Sequence, residues 1–261
     1  MLSRVSLFCV FVAAAAYAAT ANAELVLYSD SFTRSGALNG TTPDVAVGQY
    51  GASATATWVS SSYATGDGAA ATIDASSAGN GRNMGLAFTP ESGHVYTFSA
   101  AISCSYATNS GNWAAMGFST YLDTGNYAYY DDQKMQPYGW ALFRNVASST
   151  TMNQSFTSGL NGGADIGMDS GTLQVQLVLD TTPSLWTETW IVNGVVQRGP
   201  VALGDSSNPT INYLSFGASD HTKATIDNVQ LSVDAVPEPS TLALLACGVA
   251  GLLCYAWKKR S

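Results

Sequence analysis

Between residues 24 and 235, apolar and polar positions alternate in short runs. Residues 95–104 are the clearest case: Tyr96, Phe98, Ala100, Ile102 and Cys104 share one side, while Thr97, Ser99 and Ser103 share the other. A period of two is that of a strand with one buried face, and it puts Cys104 inward as a small hydrophobe. Residues 172–180 repeat the pattern with Leu173, Val175, Leu177 and Leu179. Further strands are predicted at 24–28, 55–59, 69–73, 113–118, 140–143, 186–192, 195–197, 211–216 and 224–233. Asn193-Gly194, set between two of these, is the strongest hairpin signal in the chain. Residues 35–42, with Asn39-Gly40, read as loop, and the Ser-, Gly- and Asn-rich run 75–83 reads as turn. Gly79, Gly81 and Gly85 have the wrong spacing for a nucleotide-binding loop, and no helical pattern follows them. No segment of this region sustains a helical period. About ten or more short strands at regular spacing predict an all-β, antiparallel β-sandwich.

The two ends break the alternation. Arg4, an apolar run over 5–16 and the small-x-small triplet Ala21-Asn22-Ala23 predict a signal peptide over 1–23, with its helix. At the other end stand Pro237-Glu238-Pro239, an uncharged apolar run over 241–257, and Lys258-Lys259-Arg260. That run would make about 25 Å of helix, enough for one membrane span with local thinning. The three cations hold its end in the cytoplasm, and Tyr255 and Trp257 suit the interface. The prolines keep the segment before it extended and accessible. This order of parts resembles the PEP-CTERM sorting signal of bacterial surface proteins. The resemblance implies recognition of Pro237, Glu238 and Pro239 by an exosortase, with the helix and basic end then removed. The expected organisation is thus a signal peptide (1–23), one β-sandwich ectodomain (24–235) and a sorting signal with a single transmembrane helix (236–261). The protein is expected to be exported, and held at the cell envelope or released outside it.

Charge narrows the partners. Removing Arg4, Lys258, Lys259, Arg260 and Glu238 from ten bases and eighteen acids leaves six against seventeen, about minus eleven. Nucleic acid is excluded as a partner, because its phosphates require neutralising Lys and Arg. Of the four cysteines, Cys9, Cys247 and Cys254 fall in the targeting segments, so Cys104 has no disulfide partner in the ectodomain. The sandwich must be held by packing.

Three stretches make the ectodomain similar to a concanavalin-A or laminin-G type jelly roll. They are Ser29-Asp30-Ser31-Phe32, the 173–180 strand leading into Trp190-Ile191-Val192-Asn193-Gly194, and a closing Ile226-Asp227-Asn228-Val229.

Candidate chemistry is sparse. His94 and His221 are the two histidines, and neither accompanies a Gly-x-Ser-x-Gly elbow or a spaced metal-ligand cluster. Jelly-roll glycosidases need two carboxylates across a cleft. Here Asp131 and Asp132 are adjacent, so a strand would point them to opposite faces. Glu188 shares a face with Trp186 and Trp190 and reads as a solvated strand position, with a buried carboxylate as the alternative. No residue is assigned a catalytic role.

Two binding expectations remain. Tyr129, Tyr130 and Tyr138, beside Trp140, Asp131, Asp132 and Lys134, form a mix of rings and polar groups suited to glycans, with Trp140 itself read as core. Asp30 after the first strand and Asp227 in the last, on the side of Val229 and Leu231, are the candidate ligands of a structural calcium. The expected function is a structural or carbohydrate-binding, adhesive module among extracellular polysaccharides. A glycan-processing hydrolase or lyase on the same fold is the alternative.

Overall fold

The computed structural model describes residues 24–78, 81–106, 113–125, 137–146, 149–156, 171–204, 206–219 and 221–234. Val26–Val233 forms one compact unit; Met1–Leu25 with Asp234–Ser261 forms a second, of which Glu24, Leu25 and Asp234 are described. The expected signal peptide, the apolar tail segment and its basic end lie outside the described residues. None of the described residues forms a helix long and apolar enough to cross a membrane.

The described residues form sixteen strands. The first eight are β1 Glu24–Asp30, β2 Ser35–Ala37, β3 Val45–Ala46, β4 Val59–Ser60, β5 Ala64–Asp67, β6 Ala71–Asp74, β7 Arg82–Ala87 and β8 Val95–Tyr106. The second eight are β9 Trp113–Ser119, β10 Pro137–Val146, β11 Ser149–Phe156, β12 Leu173–Asp180, β13 Thr187–Val192, β14 Val195–Ala202, β15 Tyr213–Ala218 and β16 Thr222–Asp234. Ten of them build a large sheet in the order β14-β13-β12-β8-β16-β6-β5-β2, with β1 paired to β16 and β3 to β1. The other six form β11-β10-β9-β15-β7-β4. Every resolved pairing is antiparallel, for example Leu177 opposite Phe98 and Phe216 opposite Met116. The expected antiparallel sandwich is therefore the fold observed.

The core lies between the sheets. From the large sheet, Phe98 meets Phe118 and Phe216 of the small one, with ring centroids 5.9 and 5.3 Å apart. Burying one such ring stabilises the fold by about 1.5–3 kcal/mol, with a further 0.5–1.5 for ring geometry. The period-two reading of β8 and β12 holds, with Leu173, Val175, Leu177 and Leu179 all buried. Cys104 also points inward, its Sγ 3.8 Å from the Phe143 carbonyl oxygen. Asn193 (φ 51°) and Gly194 (φ 77°) are both left-handed, as a two-residue hairpin turn with the sheet's own twist requires.

Several local expectations fail. Of 55–59 only Val59 is strand; Thr55 lies in a turn, and Trp58 is buried through its ring. The loop expected at 35–42 contains the exposed three-residue edge strand β2, which pairs with β5. The turn expected over 75–83 ends early, because Arg82 and Asn83 open β7.

Candidate functional site

The outward face of the small sheet carries a layer of aromatic rings on a glycine floor. β9 turns Trp113, Ala115, Gly117 and Ser119 outward, since Met116 and Phe118 face the core. Beside it β10 is bulged: Tyr138 pairs with Phe118 and Ala141 with Met116, so Gly139 and Trp140 together oppose Gly117. The Trp140 ring lies against Gly117, where any Cβ would overlap it, and its N–H donates to the Phe118 carbonyl at 2.7 Å. The six-membered rings of Trp140 and Trp113 both reach Gly217, each with an edge atom 3.2–3.3 Å from where its Cβ would be. Leu122 packs over this cluster. Asn83 ties the covering segment down by donating from Nδ2 to the Asp123 carbonyl at 2.6 Å. Trp140 is therefore core, as read, but of a second small core outside the sandwich. Among the described residues of β9, no outward position is an acid.

Glu188 is the departure from expectation. It is 2% exposed, on the inward face of β13 between its cross-strand partners Leu179 and Val201. Neither carboxylate oxygen has a hydrogen-bond partner. Opposite it stands Gly139 of β10 (φ +58°), where a Cβ would overlap the carboxylate. Burial pushes the carboxyl well above the usual carboxylate range; the Trp190 indole N–H opposes this without reaching hydrogen-bond geometry. Glu188 is thus a sealed acid, in surroundings that favour its neutral form, rather than a solvated strand position. The period-two alternation placed it correctly on the face of Trp190, and its polarity misled.

Asp30 and Asp227, the residues expected to ligate calcium, each have their own protein partners. Asp30 is buried, and its carboxylate accepts from both terminal nitrogens of Arg34, from Trp58 Nε1 at 2.6 Å and from the Phe32 amide at 2.9 Å. No lone pair faces a cation. Asp227 sits before a bulge in β16, where Asn228 adopts φ 50°. The extra residue shifts the alternation, so Ile226 and Val229 are buried while Asp227 turns outward and accepts from the Asn228 amide at 2.7 Å. Among the described residues, no three His, Cys, Asp or Glu side chains are grouped to hold a metal ion. His94 packs edge-on to Tyr50 and Tyr96, and His221 sits beside Ser76, so the two are in separate surroundings. Tyr129, Tyr130, Asp131 and Asp132 lie outside the described residues, as do Pro237, Glu238, Pro239, Lys258, Lys259 and Arg260; Tyr138 is described through its backbone pairing alone.

Residues 235–260 match the family model described as the PEP-CTERM protein-sorting motif. The tail carries a sorting motif. It indicates export and sorting to the cell envelope, and implies an exosortase as the sorting partner. Among curated proteins no sequence relative matches the chain. Among solved structures, the chain is similar to an endo-1,3-beta-glucanase from Streptomyces sioyaensis (14% identity, 82% of this chain and 97% of that one, TM-score 0.52). The carbohydrate recognition domain of Emp47p follows (10% identity, 78% and 96%, TM-score 0.48), and a legume lectin-like domain from Entamoeba histolytica (8% identity, 67% and 88%, TM-score 0.44). At such identities the glucanase likeness shows the fold alone, and it agrees with the concanavalin-A-like jelly roll read from the sequence.

Proposed function

We propose that the protein is a non-catalytic, glycan-binding module displayed at the cell envelope. The observation that carries this reading is the sorting motif at 235–260, which directly follows a sandwich completed by a strand ending at Asp234. A chain delivered to the envelope in this way meets extracellular polysaccharide. The fold is one that, in the Streptomyces enzyme, serves a β-1,3-glucanase. Hydrolysis by that route needs two carboxyl groups flanking the bond, about 5–9.5 Å apart and open to substrate. The outward face of β9 offers Trp113, Ala115, Gly117 and Ser119 instead, and Glu188 is closed off between the sheets. Binding without bond cleavage is what these side chains support.

The test is native gel electrophoresis of the full chain, in mild detergent, through gels containing soluble β-1,3-glucan, with reducing ends assayed in parallel. Retardation without new reducing ends is expected. Release of reducing ends would establish an enzyme and overturn the reading.

A further inference from the structure

The two outward faces of the sandwich differ, and the large sheet's face has its own chemistry. The pairing registers bring Thr65 of β5 opposite Thr72 of β6, Thr72 opposite Thr225 of β16, and Thr225 opposite Ser103 of β8. Four hydroxyl side chains therefore stand in one straight row across four adjacent strands, on the side away from the core residues Ile73, Ala224 and Ile102. Thr65 is exposed and the other three are half-buried, as positions on an open sheet face are. Among the described residues none of the four hydroxyls has a protein hydrogen-bond partner. A second row continues the character of the first, with Gln230 opposite Ser99 and Ser99 opposite Gln176.

Strand propensity explains why β-branched residues occur here, but Val and Ile would satisfy it equally. It does not explain hydroxyls at every step of the row. Nor does it explain why neither row contains an acid, in an ectodomain that carries seventeen. Charges flank the row on both sides: Asp74 and its cross-strand partner Lys223 at one margin, where Asp74 also accepts from the Ser76 amide, and Asp67 of β5 and the outward Asp227 of β16 at the other.

We propose that this row is a binding track for an extended, neutral, β-linked polysaccharide lying across the strands; the proposal rests on the glycan-binding reading and names its surface. Neighbouring strands are about 4.8 Å apart, close to the advance of one pyranose ring along an extended chain. One hydroxyl thus meets each sugar in turn. Each threonine also offers a methyl group to the apolar C–H surface of a ring, so a single residue type supplies both contacts that a sugar needs. The sheet holds the row rigid, which lowers the ordering cost of binding. Acidic polymers are disfavoured, since the ectodomain is strongly negative and Lys223 alone among these positions is a cation.

The test is co-sedimentation of the full chain with microcrystalline cellulose and, separately, with insoluble β-1,3-glucan. Wild type is compared with Thr72→Val/Thr225→Val, which keeps branching and volume but deletes two hydroxyls. Thr65→Lys, at the exposed end of the row, is a second variant that does not touch the core. Retention of the wild type, with roughly tenfold weaker binding by the double variant, is expected for two lost hydrogen bonds. A smaller loss is expected for Thr65→Lys. Wild-type retention that both variants share would overturn the track while leaving the glycan-binding reading in place. No retention of the wild type on either solid would overturn the track and, with an unretarded chain in soluble-glucan gels, the broader reading as well.

Discussion

Asp30 and Glu188 are both carboxylic acids closed off from water, and the fold treats them in opposite ways. Around Asp30, Arg34, Trp58 and the Phe32 amide converge on both oxygens, so the carboxylate is met by donors on every side. Arg34 also lies over the Phe32 ring, 5.5 Å from its centroid, which fixes the guanidinium from a second side. Glu188 is surrounded by Leu179, Val201 and the bare backbone of Gly139, and there burial favours the neutral form. A buried acid is thus not by itself a sign of chemistry. What distinguishes the two is whether the donors arrive with it, and at Asp30 they come from a single local segment plus Trp58.

The sharpest way to break the contrast is Arg34→Met. It leaves Asp30 buried beside a neutral side chain and should cost about 3–5 kcal/mol in urea denaturation; a loss below about 1 kcal/mol would mean that the pair is not what holds the corner. Gly139→Ala comes next, since it adds a Cβ where the Glu188 carboxylate stands and where φ is +58°. Overpacking and backbone strain together should cost about 2–4 kcal/mol. Glu188→Ala in the same chain should recover part of that loss, and strictly additive effects would show that the two residues do not press on each other.

Glu188→Met should act in the opposite direction. Replacing an unpartnered polar group with an apolar one of similar length should stabilise by about 1–3 kcal/mol at neutral pH. The gain should depend on pH with a defined sign. Below about pH 4.3, the ordinary carboxylate value, Glu188 is protonated in both folded and unfolded chains and costs least. As pH rises, the unfolded chain releases this proton while the folded one retains it. Wild-type stability relative to Glu188→Met should therefore decline from that pH upward until the raised folded value is passed. A pH-independent difference would count against a protonated Glu188. The smallest effect is expected from chelation: EDTA should leave the thermal midpoint of the wild type unchanged, and a fall would mean that a cation is bound outside the Asp30 corner.

How far the fold could be read in advance depended on how far local alternation was left undisturbed. β8 and β12 keep strict period two over their central residues, and the Asn193-Gly194 turn has one dominant geometry, so all three were legible. β11 was not, because Ser149–Phe156 reads STTMNQSF, with a single apolar residue before its last position. Its partner β10 defines it as a strand through backbone pairing that leaves no mark in composition. Asp227 was misplaced for a different reason. Counting by twos through 226–233 assumes an unbroken strand, and the Asp227-Asn228 pair is the kind of sequence that admits a left-handed residue and a bulge. Glu188 is the converse case: period two sets its face correctly, while enclosure by Leu179, Val201 and Gly139 overrides the usual preference of an acid for water. The ring layer on Gly117 needed long-range information altogether, since Gly117 and Trp140 are brought together by a bulge in one strand of a pair.

The place of β16 in the large sheet has a consequence for biogenesis. The last strand is not an edge: it lies between β8 and β6 and is also the partner of β1, so the halves of that sheet join only through it. Translocation delivers residues in order, and until Thr222–Asp234 emerges the earlier strands have no central seam to close on. The segment immediately before the sorting motif is therefore the one that completes the domain. A chain truncated before this strand would lack both a finished sheet and the sorting motif that follows it.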